Sequence, residues 1–568
     1  MNKIFLKKSF STIILIALIS ITNAQWNNDP AINNLSCDND ASKFDLAAIP
    51  DGSGGLFMVW QDQRNSSIYA GEGTDADIYA QHIDENGNAL WEMEGIPVII
   101  EDYDQVDPEI ISDGENGFYV IWFDARNGTE YIDSIDFFMQ HIDFDGNLLW
   151  DIKGLQVSAV KFSTPNDIDK EIISDGAGGA IIAYYGNSHE VATDEIIYAS
   201  RINSAGEFLW NGIIINDISN DISGLSMVAD AEGGAFITWD DHSTSDVNIA
   251  VQHIDANGSF LLAEDGILIT SLIDENFNAP VAAFDNDGGV YIAWADWRNN
   301  FTQIHAQHID ENGNILWVEN GISVTTSAEF QSDYQIDAAS DGGALISWEQ
   351  GYPLEVFAQK INNAGTILWG EDALKVFESV DDTEQDNLIR SDGYGGAVIS
   401  ANEISFPSKT KTRNVKPDGT FNGDQVLVAT GPGSKFSTNF SATIGNSWIF
   451  SWIEDKVEDQ NRVYASKIEF VPYATTEIEF NTSALKNLLH IYPNPATEFI
   501  IVDVQINGSE TSESICQILD MHGAVITEKI VSLQNQIQLP VHHLPDGLYN
   551  IKIISDSNIK TSIFQKIK

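Results

Sequence analysis

Apolar residues along this chain fall into short runs closed by Gly, Asp or Asn, without the three-and-four spacing of a helix face. Runs such as GGLFMVW (54–60), IYAQHID (78–84) and IPVII (96–100) read as strands. Their order repeats about eight times: an Asp-Gly-rich turn, a Gly-Gly-led strand ending in Trp, a second strand, then Asp-x-x-Gly-x-x-x-Trp. The first copy spans 51 to 91 and the fifth 284 to 317, where FDNDGGVYIAW is followed by IHAQHIDENGNILW. A period of roughly 50 to 60 residues made of strands and turns marks a sheet protein repeated around an axis.

The first strand of successive copies ends at Trp60, Trp122, Tyr184, Trp239, Trp294, Trp348, Ser400 and Trp452, so eight copies keep one register. The second anchor falls at Trp91, Trp150, Trp210, Leu262, Trp317 and Trp369, four residues after Gly87, Gly146, Gly206, Gly258, Gly313 and Gly365. In the seventh copy Gly419 remains without its Trp, and the eighth stops after its second strand. Its missing half lies at the other end of the chain, where Gln25-Trp26 and NNDPAINNL match the tail of a repeat with no head. Completing the last sheet with the first residues closes a ring and removes an edge that would invite aggregation. The expected fold is therefore all-β: an eight-bladed β-propeller over 25–470 closed by its terminal strands, with seven blades as the alternative. Four strands are expected per blade: the Gly-Gly strand, the IYAQHID strand, the Gly-x-x-x-Trp strand and the IPVII strand.

In such a ring Gly permits the turn after Asp84, and the indole four residues later can fill the wedge between blades. On these motifs the chain resembles the tryptophan-docked propellers, such as the quinoprotein dehydrogenases. Their Asp-to-Gly spacing is one residue longer than in Asp84-Glu85-Asn86-Gly87. The turns also resemble, with imperfect spacing, the Asp-box turns of sialidase-type propellers. A quinone is not expected, because adjacent cysteines of the kind found in some quinoprotein sites are absent.

Lys and Arg total 28 against 85 Asp and Glu, a formal net charge of -57 among 568 residues, so nucleic acid and anionic membrane surfaces would be repelled. Residues 488–568 hold 8 acidic and 5 basic side chains, which places nearly all the excess acid in the repeats. A solvated shell with Asp favoured in turns accounts for this, and a calcium-dependent surface is the sharper alternative. Cys37 and Cys516 are the two cysteines and fall in different expected domains, so there is no disulfide scaffold. At the N-terminus, Lys3, Lys7 and Lys8 precede an apolar run from Ile13 to Ile21 and then Thr22-x-Ala24. That order predicts a secretory signal peptide over 1–24, and no later segment approaches a transmembrane length.

Three copies continue past the first strand as Trp-x-Asp-x-Arg-Asn, with Asp62 and Arg64, Asp124 and Arg126, and Asp296 and Arg298. Arginines gathered on a carboxylate would point to a sialidase-like site. A repeated Asp to Arg pair inside each blade explains the same spacing, and these six residues are the candidate binding residues. His82, His141, His253 and His308 recur in Gln-His-Ile-Asp. Equivalent positions on separate blades lie too far apart for one metal, so strand-face histidines are expected. No catalytic motif is found. The long polar stretches NSSIYAGEGTDAD and NGTEYIDSID are binding elements or tolerated insertions.

From Leu488 the pattern changes to LLHIYPNPATEFIIVDV, ICQILDMHGAVI and LPDGLYNIKI, which predicts a small Ig-like β-sandwich over 488–568 after a linker at 471–487. Tyr492-Pro493-Asn494-Pro495, Asp520-x-x-Gly523, Leu544-Pro545-x-Gly547-x-Tyr549 and terminal Lys566 and Lys568 resemble the type A C-terminal sorting domain of the type IX secretion system of Bacteroidetes. The resemblance implies passage across the outer membrane, removal of the domain by a sortase-like peptidase, and release or attachment at the cell surface. The expected function is a secreted or surface-displayed binding or adhesion module without a cofactor. A glycan-active hydrolase, which carboxylates clustered at the ring's centre would favour, and a structural matrix component are the alternatives.

Overall fold

The structure is a computed structural model. It describes residues 26–471 and 473 apart from 28, 33, 40, 67–75, 128–134, 159–168, 188–194, 221, 243–246, 271–276, 299–300, 379–382, 443–445 and 457–459. Towards the C-terminus it describes 489–492, 499–504, 513–519, 525–532, 536–541, 544, 547–555 and 558–566. The expected signal peptide, Pro493, Asn494 and Pro495, and most of the two long polar stretches lie outside the described residues. The chain divides into two units, at Tyr473 and Ala474.

The first unit consists of eight four-stranded antiparallel sheets in chain order, an eight-bladed propeller. Blade 1 runs Lys43–Pro50, Leu56–Asp62, Asp77–Ile83, Ile96–Ile99, and each strand pairs with the next. Blade 8 has three consecutive strands, Ser434–Ala442, Ser447–Lys456 and Gln460–Glu469. Its fourth is Asn34–Cys37 from the start of the chain, with Leu35 opposite Tyr464. Lys43 stitches this closure: its buried Nζ donates to the carbonyl of Asn461 at 3.1 Å, and Asn461 donates back to the Lys43 carbonyl at 3.2 Å.

The two middle strands of each blade carry the core because both their faces are covered. Leu56–Asp62 and Asp77–Ile83 are buried at every position. Trp60, Trp122, Trp239, Trp294, Trp348 and Trp452 are among the largest fully buried side chains, with Tyr184 taking the same place in blade 3. The second set of indoles joins blades. Trp91 packs against Gly146 of the next blade, where a Cβ would come within 2.9 Å of the ring. Trp317 does the same at Gly365 and donates its Nε1 hydrogen to the Asn363 carbonyl at 2.9 Å. Trp26, from before the closing strand, docks in this way on Gly87 and donates to the Glu85 carbonyl at 2.8 Å.

The strand assignment within a blade differs from the sequence expectation. The Gly-x-x-x-Trp segment is a turn that touches the sheet at single bridges such as Ile83 to Ala89 and Ile309 to Ile315. Blades 4 and 7 apart, where Leu262 and Gly423 stand in place of the Trp, the turn ends in an indole pointing across to the next blade, so the segment cannot also extend the ladder of its own. Blade 3 departs differently, running the segment into the single irregular strand Phe208–Asn220. The remaining strand is instead the innermost one, such as Lys43–Pro50, whose mixed polar pattern hid it.

In seven blades the innermost strand has a bulge, so that in blade 1 Asp45 and Leu46 together oppose Trp60. The register shifts at the matching place in the other six. Asp45, Asp107, Gly224, Ala279, Asp333, Asp386 and Ser437 take positive φ there, a conformation that Gly and Asp adopt more readily than most residues.

The second unit holds a three-stranded sheet of Leu489–Tyr492, Phe499–Val504 and Gln536–Pro540. Its four-stranded sheet runs in the order Val525–Ser532, Glu513–Leu519, Gly547–Ser555 and Asn558–Lys566. Ile500, Cys516, Ile518, Leu539, Tyr549 and Ile551 are buried within it. Of the sorting motif, Tyr492 ends a strand and Gly547 opens one.

Candidate functional site

The six candidate binding residues are built into their own blades. Arg64 donates from Nε and Nη2 to Asp62 at 2.9 and 2.6 Å and from Nη2 to the Glu94 carbonyl at 2.7 Å, and it lies over the Tyr79 ring at 3.6 Å. Asp62 is fully buried and also accepts from Trp60 Nε1 at 3.0 Å. Arg126 closes on Asp124 and Arg298 on Asp296 in the same way. The three pairs stay in blades 1, 2 and 5 and do not converge.

The recurring histidines pair with the Asp of the turn that precedes the second strand. His82 Nε2 is 2.9 Å from Asp51 and His308 Nε2 is 2.7 Å from Asp285. Asp51 Oδ1 also accepts from the backbone N–H groups of Ser53 and Gly55, both at 2.7 Å. Burial alone would raise the Asp51 carboxyl, but hydrogen bonds from His82, Ser53 and Gly55 bring it down to about 2. Blade 3 replaces the histidine with Arg201 on Asp175, and blade 6 with Lys360 on Asp341. Many turn carboxylates are thus spent on their own backbone, which accounts for much of the acid in the repeats. An open groove of about 480 Å³ lies on this turn face, lined by Asp113, His141, Phe144 and Leu149, with Asp113 and His141 already paired.

The inner wall of the ring differs. The residue six positions before the turn is Asp45, Asp107, Asp169, Gly224, Ala279, Asp333, Asp386 and Ser437 in successive blades, so five of eight inner strands carry an Asp at this sequence position. Asp45, Asp333 and Asp386 are exposed on the wall. A bulge re-aims one side chain out of the alternation, which is how a strand otherwise facing the core presents these carboxylates.

Two arcs of the ring concentrate acid. Across blades 2 and 3, Lys170 Nζ donates to Asp107 at 2.8 Å and Glu109 at 2.7 Å, with Asp169 and Glu171 alongside. Burial raises Glu109 to about 7 against the pull of Lys170, with Asp107 and Asp169 adding repulsion, and raises Glu171 well above the usual range. Across blades 6 and 7 stand Asp333, Glu349 and Asp386. Glu349 is pushed up to about 9 by burial, then by Asp333, with which it shares a hydrogen bond, while the Asp386 backbone N–H pulls it down and the Asp386 charge pushes it up. Its Oε1 is buried without a hydrogen-bond partner in the described structure. Asn402 donates to Asp386 at 3.0 Å.

The blade 6 and 7 arc adjoins loops that carry exposed aromatics. Tyr352, three residues beyond Glu349, is 87% exposed, and Phe406 in the matching loop of blade 7 is 80% exposed. Phe330, three residues before Asp333, stacks on Tyr352 with centroids 6.3 Å apart. Sequence reasoning missed this site although its signal was present, in the Asp six residues ahead of the turn. Among the described residues no group of three or more His, Cys, Asp or Glu side chains is arranged to hold a metal, and no helix is long and apolar enough to cross a membrane.

Residues 490–567 match the family described as Secretion system C-terminal sorting domain. No match was found among curated proteins. Among solved structures the chain is similar to polysaccharide lyase Uly1, at 10% identity and a TM-score of 0.43, covering 77% of this chain and 100% of that one. It is also similar to a protein of unknown function from Dyadobacter fermentans, at 10% identity and a TM-score of 0.37, covering 77% and 98%. An alpha-L-arabinanase of Penicillium chrysogenum is similar at 10% identity and a TM-score of 0.32, covering 77% and 97%. Likeness at this level carries nothing about activity. What the fold and the tail together establish is an eight-bladed propeller with a type IX secretion system C-terminal sorting domain, a protein secreted or attached to the outer cell surface.

Proposed function

We propose that the propeller is an extracellular binding module that holds a glycan at the inner-wall mouth of blades 6 and 7. The observation that carries this reading is the exposure of Tyr352 and Phe406 in matching loops of blades 6 and 7, Tyr352 three residues beyond Glu349. Aromatic faces pack on the C–H faces of sugar rings while carboxyl groups bond their hydroxyls, the pairing of apolar surface with few polar groups that small-ligand sites use. The net charge of -57 favours neutral or basic ligands over polyanions. The test is a glycan and matrix-protein array probed with the purified protein, with calcium and with chelator. A glycan hit lost on replacing both Tyr352 and Phe406 with Ala supports the reading, and a hit unchanged by that replacement sinks it. Loss of the hit in chelator would add calcium to the site.

A second reading, a glycan hydrolase, is favoured by Glu349. A carboxyl that keeps its proton at neutral pH beside Asp333 has the form of an acid–base pair. Release of reducing ends from an array-positive glycan, abolished by Glu349→Gln, would establish it.

A further inference from the structure

We propose that the blade 6 and 7 arc is a subsite for a ligand ammonium group, so that the glycan bound there is a basic one whose amino sugars carry free nitrogen. This rests on the glycan-binding reading above and deepens it. The comparison between the two acidic arcs carries the argument. In blades 2 and 3 the protein supplies its own ammonium: Lys170, the residue after Asp169, reaches back to Asp107 and Glu109 of the preceding blade. The residue in that position of blade 7 is Asn387, which follows Asp386 and likewise reaches back one blade. Its amide donates to the Asp333 backbone carbonyl, and among the described residues no basic side chain forms an ion pair with the Asp333 carboxylate. Blade 3 keeps a regular inner strand and blade 7 a bulged one, yet in both the residue after the inner Asp reaches back one blade, as a cation in the first and as a neutral amide in the second.

Glu349 supplies an independent observation. It is 4% exposed and its Oε1 has no hydrogen-bond partner among the described residues. Leaving a buried polar atom unpaired is a cost that a ligand donor can recover. When one proton is shared between Glu349 and Asp333, the remaining oxygen can only accept, so a donor is what satisfies it. An ammonium offers three donors and a positive charge to Asp333, Glu349 and Asp386 together. Tyr352, stacked on Phe330, provides the face on which the sugar ring bearing that nitrogen would lie. N-acetylation removes the charge and adds bulk at the same atom, so it separates an ammonium subsite from a general sugar site.

The experiment is titration calorimetry of the purified protein at pH 6 with a glucosamine pentamer and with its N-acetylated counterpart. The free-amine oligomer should bind at least about tenfold more tightly, a difference of about 1.4 kcal/mol. Glu349→Gln with Asp386→Asn should erase that preference. Asn387→Lys, which places a cation where Lys170 stands in the other arc, should erase it too and serves if the double variant does not fold. Equal affinity for the two oligomers, or a preference that survives both variants, overturns the ammonium subsite. Equal affinity that is lost in Tyr352→Ala leaves the glycan-binding reading standing, whereas failure of both oligomers together with an array silent towards glycans sinks both.

Discussion

Aspartate is used in two opposite ways in this ring. On the turn face Asp285 accepts from the backbone N–H groups of Asp287 and Gly289 and from His308, so its charge is wanted and is held by donors. On the inner wall Asp333 sits beside Glu349 and Asp386, and partial desolvation by the surrounding wall together with the charge of Asp386 raises it, against a hydrogen bond with Glu349. The turn carboxylate stabilises the fold by being ionised, while on the wall Asp45, Asp169, Asp333 and Glu349 favour their protons. The abundance of acid in a sequence therefore says little until each carboxylate has been matched to its donors.

The largest test removes a turn carboxylate. Asp285→Ala should cost about 3 kcal/mol, because it leaves the part-buried Gly289 N–H and the buried His308 imidazole without their acceptor. A urea midpoint within error of the parent would show that turn and wall are not different. Next, Lys170→Met should destabilise the ring by about 2 kcal/mol at pH 8 and far less at pH 4.5, since Asp107 and Glu109 would then repel unless protonated. Equal losses at both pH values would contradict the crowding seen on the wall.

Glu349→Gln sharpens the contrast by reversing its sign. A carboxyl raised to about 9 binds its proton more tightly in the folded state, so its contribution is full below about 4.5 and declines as pH rises through 9. The substitution should therefore raise stability at pH 8, by about 1 kcal/mol in a thermal melt, and leave it unchanged at pH 4. Asp51, lowered to about 2, runs the other way: its contribution is present above about 3.8 and is lost as pH falls towards 2. With the two regions titrating in opposite senses, the melting temperature should peak on the acid side of neutrality. A peak above pH 8 would mean that the wall carboxylates do not govern the alkaline limb.

The smallest effect belongs to Arg64→Lys. It keeps the charge beside Asp62 but loses the fork and the stacking on Tyr79, and should cost about 1 kcal/mol or less. A loss of ligand binding without a loss of stability would instead bring the Asp62 and Arg64 pair into the site.

Much of this was legible in the chain itself. The register of Trp60, Trp122, Tyr184 and Trp239 with their successors announces eight equivalent units, because a large side chain recurring at one place in a strand must fill one place in a sheet. The innermost strands were not legible as strands. KFDLAAIP and QSDYQIDA lack clean alternation, since a bulge shifts the phase of the pattern halfway along. Asp333 and Asp386 could have been found by counting back from the turns, but Glu349 could not, because nothing in ALISWEQ distinguishes it from an exposed strand end.

By itself the sequence determined the blade repeat, the anchors, the excess of acid and the sorting tail, all of which follow from local spacing or a contiguous motif. Only the tertiary structure decided which carboxylates meet. Lys170 joins Asp107 across 63 residues and Asn387 reaches Asp333 across 54, distances along the chain that ring closure turns into hydrogen bonds. Charge crowding depends on separation in space, and it is the curvature of the ring that brings one inner strand against the next.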